Sequence, residues 1–181
     1  MSRFSLLGAL TTGMNAVGTL LVVLIMAVIL TDVFGRFFFN NPFEGTPEIV
    51  AMSIAAIVFL QMPATLRAGR VINVDGLLEF VGARSVRAEQ YVLALFHLLG
   101  GALFLIVTVI VASMLTRVWA GREFYGNIGV FTFPKWPVFA VITLGSAVMA
   151  IQYFVLSAQF VGAGRRNQRL IEIDPATKVM S

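Results

Sequence analysis

Gln61, His97 and Gln152 are polar side chains set within otherwise apolar stretches, and they are scattered along the chain. An imidazole such as His97 can carry a proton or hydrogen-bond a neighbouring helix. An amide such as Gln61 can tie helix to helix but titrates nothing. Asp32 and Arg36 lie four residues apart with the acid first, a spacing that pairs them on one helix face. Nothing here resembles catalytic machinery. The chain has no cysteine, which excludes disulfides, thiolate metal sites, iron–sulfur clusters and cysteine nucleophiles. Its single histidine excludes a bis-histidine haem supplied by this chain alone. Phosphate-binding glycine loops, paired carboxylates at membrane depth and metal-ligand clusters are all absent from the sequence, so neither cofactor nor enzymatic activity is expected.

The elements that must position these residues are four long apolar stretches, roughly Gly13–Thr31, Pro47–Leu66, Tyr91–Leu115 and Phe133–Val161. A helix crossing a hydrocarbon core ~30 Å thick needs ~20 mostly apolar residues. No water reaches peptide groups there, so each stretch is expected to be helical. Hydrophobic residues make up 59% of the chain and charged residues 12%, about half the charged share usual in soluble domains. The fold expected is an all-α membrane protein with four transmembrane helices. Residues 1–164 would form a single transmembrane domain and residues 165–181 a basic cytoplasmic tail. The first stretch is too long for a secretory signal and lacks a small-residue cleavage site before Asp32, so it reads as a retained helix.

Local signals refine this reading. Thr46 is a candidate cap for the second helix, Pro47 suits its first position, and Glu48 favours the positive end of its dipole. Pro63 predicts a kink, since it cannot donate to the carbonyl of Phe59. Gln61 should face protein rather than lipid, and Ala51 with Ala55 would permit close helix approach. Arg67 and Arg70 bring positive charge to the helix end. Val74, Leu77, Leu78 and Val81 then recur at helical spacing with Asp75 and Glu79 opposite. This pattern predicts a short amphipathic interfacial helix between the second and third spans. Its acidic face gives anionic lipid little purchase, which makes a protein neighbour a reasonable cover for Leu77 and Leu78. Ser85 is placed to cap the third helix, with Glu89 in its first turn. His97 lies on that helix beside Gly100 and Gly101, where packing and proton handling are both open to it. Trp119, Tyr125 and Trp136 would anchor a compact loop at the membrane interface.

With four spans, both termini and the middle connection share a side. That side holds nine basic residues (Arg3, Arg67, Arg70, Arg84, Arg87, Arg165, Arg166, Arg169 and Lys178) against four opposite (Arg36, Arg117, Arg122 and Lys135). The imbalance predicts cytoplasmic termini. It also explains the net charge of +4 without nucleic acid as a partner.

Three segments carry a resemblance: Asp32–Asn40 followed by Gly45-Thr46-Pro47-Glu48, then Leu66–Arg70 with Val74-Asp75, then Phe133–Trp136. In that order they resemble the small membrane subunit of tripartite ATP-independent periplasmic (TRAP) transporters. The resemblance implies a bacterial inner-membrane assembly. In it a periplasmic solute-binding protein, in transient contact, delivers an organic anion to a large membrane subunit driven by sodium. The small subunit would bind the large one and widen its scaffold among the membrane lipids. Asp32, Arg36, Glu48, Gln61, Arg67, Arg70, Asp75, Leu77, Leu78 and His97 are then candidates for structural or subunit-interface roles rather than substrate or metal binding. Val71-Ile72 depart from the family, many members of which carry histidine after the basic pair. Two other readings stay open: an autonomous homo-oligomeric transporter or channel, and a membrane anchor for a redox enzyme.

Overall fold

The computed structural model describes residues 2–41, 43, 45–68, 85–127 and 131–167. Its helices are α1 (Ser2–Phe39), α2 (Thr46–Arg67), α3 (Val86–Gly121) and α4 (Trp136–Arg166). All four are long and apolar enough to cross a membrane, so the fold is that of an all-α, four-span membrane protein. At ~1.5 Å per residue, the 38 residues of α1 and 36 of α3 run well beyond the hydrocarbon thickness, whereas the 22 of α2 just cover it. Arg70, Asp75, Leu77, Leu78 and the amphipathic helix expected around them lie outside the described residues.

Several boundaries differ from the sequence expectations for physical reasons. The loop after α3 contains two short strands, β1 (Phe124–Asn127) and β2 (Phe131–Pro134), paired antiparallel with Tyr125 opposite Phe133. That pairing takes Phe133 and Pro134 out of the fourth helix, which starts instead at Trp136. Thr46 does not cap α2. The cap position belongs to Gly45, whose φ of 89° is a left-handed conformation that glycine adopts without strain. Phe131's ring also lies against Gly45, where a Cβ would collide with it. The Thr46 hydroxyl turns back to donate to the Phe43 carbonyl at 2.9 Å. Ser85 does cap α3: its Oγ accepts from the Ala88 N–H at 3.4 Å and its carbonyl from the Glu89 N–H at 3.1 Å.

The chain forms two compact units. In the first (Met1–Val71 with Phe104–Met149), α1 packs along α2. Among the described side chains of α1 the buried ones are Gly8, Thr11, Met14, Gly18, Ile25 and Asp32, a seam with spacings of three, four or seven residues. Lipid tails are as apolar as leucine, so hydrophobic transfer does little to hold helices together in a bilayer. Close backbone approach and hydrogen bonds must do more, which suits a seam rich in small and polar residues. On α2 burial runs through Met52, Ala56, Leu60, Pro63 and Leu66, while Ala51 of the expected small-residue pair is exposed. Met14, Leu60 and Val148 form a common core, with Leu21 and Val141 against it. The second unit (Ile72–Leu103 with Ala150–Ser181) is built around Leu93, Ala94 and Phe160.

Candidate functional site

Asp32 and Arg36 stand at the far end of α1, and Arg36 Nε donates to Asp32 Oδ2 at 3.0 Å. The Arg36 side chain is 59% exposed, so water screens this ion pair and its own contribution is small. The stronger anchor is the other carboxylate oxygen, Oδ1, which accepts the backbone N–H of Phe43 at 2.9 Å. A buried acceptor that loses such a partner costs about 1–3 kcal/mol. Asp32 thereby pins the α1–α2 connection, helped by Asn41 N–H donating to the Gly35 carbonyl at 3.1 Å. Glu48 sits half-buried in the first turn of α2.

Gln61 and Arg67 both lie along the α1–α2 seam. The Gln61 side chain rests on Gly18, where a Cβ would come within 2.8 Å of its Cγ. The Arg67 guanidinium lies over Gly8 and reaches Thr11 Oγ1 at 3.4 Å, a long and therefore weak hydrogen bond. Thr11 and Thr12 in turn donate to the Gly8 carbonyl at 3.1 and 2.8 Å.

One contact in this unit joins residues far apart in sequence. Pro63 lies inside α2 and has no N–H, so the Phe59 carbonyl lacks its ordinary helical donor. Gly145 of α4 packs onto this carbonyl, so closely that a Cβ at position 145 would overlap it. A Cα–H···O contact is the weak donor available at such an approach. One residue on, Thr108 Oγ1 donates to Ser146 Oγ at 3.0 Å, and Ser146 donates to the Ile142 carbonyl at 2.8 Å.

His97 belongs to the second unit. Its Nδ1 lies 2.8 Å from the Leu93 carbonyl, which can only accept, so Nδ1 carries the proton. The ring lies 4.8 Å from that of Phe160 and 5.8 Å from that of Tyr153. Ser157 Oγ donates to the Ala94 carbonyl at 2.9 Å, tying α4 to α3 one turn away. His97→Gln keeps hydrogen-bonding capacity and removes titration. Transport by the assembly that the family resemblance implies is therefore expected to stay within a few-fold of normal. A large loss with normal assembly would assign His97 to proton handling.

Gln90 is fully buried, and neither of its amide atoms has a hydrogen-bond partner among the described residues. Nothing in the sequence singles this residue out, since it lies in the first turns of α3 beside Arg87 and Glu89. Gly145 was legible only as a small residue in a span, since nothing in the sequence couples it to Pro63. Of the described candidates, Asp32, Arg36, Glu48, Gln61 and Arg67 belong to the first unit and His97 to the second. Among the described residues no group of His, Asp and Glu could hold a metal ion.

A family model described as "Tripartite ATP-independent periplasmic transporters, DctQ component" matches residues 25–162. No match is found among curated proteins or among solved structures.

Proposed function

Because the chain belongs to the DctQ component family of tripartite ATP-independent periplasmic transporters, we propose that it serves its transporter as a scaffold, not as a pathway. Membership makes it a small subunit of such a transporter, multi-pass in the inner membrane, and not an enzyme. In the proposed role it binds the large membrane subunit and holds it in the bilayer, while that subunit moves an organic anion with sodium. The periplasmic solute-binding protein contributes a transient contact. One observation carries most weight. Only 6% of the most apolar window of α3 and 17% of that of α1 are buried within the chain, against 39% for α4. Those faces are mainly apolar, with Asn15, Thr19, Thr31 and Ser113 among the few polar side chains exposed on them, which fits lipid and a membrane partner.

The cytoplasmic segment is proposed to contribute to the same interface. Burying one leucine-sized side chain is worth roughly 1.5–3 kcal/mol, so Leu77→Asp with Leu78→Asp should markedly weaken association. Recovery of the large subunit in a mild-detergent pull-down, normalised to inserted small subunit, reads this out. Undiminished recovery would move the contact into the membrane. Co-purification with no large multi-span partner at all, but as a homo-oligomer, would favour an autonomous channel instead.

Both termini are proposed to be cytoplasmic, from the nine-to-four distribution of Lys and Arg. The chain has no native cysteine, so single cysteines report cleanly. An impermeant thiol reagent added from the periplasm should label Asn127→Cys and spare Ser85→Cys and Ser181→Cys. The reverse pattern would invert the topology.

A further inference from the structure

Two clefts meet at the Trp119–Trp136 pair, whose rings stand edge to face with centroids 5.0 Å apart. The deeper cleft, about 370 Å³, lies one helical turn inside the span and is lined by Leu115, Thr116 and Ala140 with both tryptophans. The outer one, about 630 Å³, is lined by the same tryptophans with Val118, Phe124, Arg122 and Glu123 among others. The two clefts share both tryptophans, with an apolar lining on the Leu115 and Ala140 side and charged Arg122 and Glu123 on the other. Tryptophan pairs of this kind sit at the level of lipid headgroups. On the charged side, Lys135 Nζ engages Glu123 Oε2 at 3.0 Å and also lies 5.2 Å from the centre of the Tyr125 ring. Glu123 is thereby neutralised, and Arg122 has no acidic partner among the described residues. The three charged groups leave a net single positive charge. α4 begins at Trp136, which brings the positive end of its dipole to the same side.

We propose that these clefts form a binding site for one anionic phospholipid. Its phosphate would pair with the Arg122 guanidinium, and an acyl chain would lie along the paired tryptophan rings toward Leu115 and Ala140. The inference depends on the four-span architecture alone; it stands or falls separately from the scaffold role.

The chain's only two tryptophans flank the site and so provide the probe. The full chain is reconstituted into phosphatidylcholine vesicles containing graded fractions of brominated phosphatidylglycerol or brominated phosphatidylcholine, and tryptophan quenching is recorded. One basic contact near the membrane surface corresponds to about a fivefold preference for the anionic lipid. That preference is expected in the native chain, absent in Arg122→Gln and largely retained in Arg122→Lys. Arg122 is exposed, so its replacement leaves the fold intact. Equal quenching by the two lipids in the native chain would overturn the proposal, leaving the clefts to annular lipid or a protein segment. A preference that survives Arg122→Gln would overturn it as well.

Discussion

Gly145→Val is expected to destabilise the chain severely, with Gly145→Ala an intermediate case. Any side chain at position 145 meets the Phe59 backbone carbonyl. A backbone obstacle cannot swing aside as the tip of a flexible side chain can, so α2 and α4 must separate. Overpacking of this kind costs about 1–3 kcal/mol for a single added carbon and more for a branched one. Separation would also strip the Phe59 carbonyl of its remaining neighbour at a depth where water is absent. For a chain of this size each kcal/mol shifts the melting temperature by roughly 2–4 °C. Gly145→Ala should therefore melt several degrees lower in mild detergent, and Gly145→Val should yield little folded protein. Gly13→Ala and Gly162→Ala are the controls, because a Cβ at either position meets nothing within 4 Å. Alanine is also the better helix former by about 1 kcal/mol, so these variants should be neutral or slightly stabilised. If Gly145→Ala melted with the controls, the close approach of Gly145 to the Phe59 carbonyl would not be a stabilising contact.

The four spans were legible because the bilayer leaves the chain so little choice. A run such as Tyr91–Leu115 has no alternative way to satisfy its backbone in hydrocarbon. Which face of each helix is buried was much harder to read. α1 is apolar on nearly every side, so hydrophobic periodicity carries almost no signal. Its seam is marked instead by small and polar residues, among them Gly8, Thr11, Gly18 and Asp32. The Asp32–Arg36 pair followed from spacing alone. Its more important hydrogen bond, to the Phe43 N–H, depended on how the connection folds back. The β1–β2 hairpin was hidden because its aromatic residues suit an interfacial loop as well as a strand, and Phe133 was assigned to a helix on hydropathy. Thr46 was assigned as a cap on residue type, whereas the left-handed backbone of Gly45 decides that position. Legibility failed where a contact joins distant residues, as between Phe59 and Gly145.

In the proposed role this subunit supports transport without conducting it. The described helices present mainly apolar faces; Ser146 and Ser157 tie helix to helix, and Asp32 holds the α1–α2 connection. Reconstitution separates a scaffold from a pathway. The purified chain is placed in liposomes, alone or with the large subunit and the solute-binding protein, and uptake of candidate organic acids is followed with and without an inward sodium gradient. The complete system is expected to accumulate solute only with the gradient, while the chain alone matches empty vesicles. Solute-specific accumulation by the chain alone would contradict the scaffold role and place a pathway within these four helices.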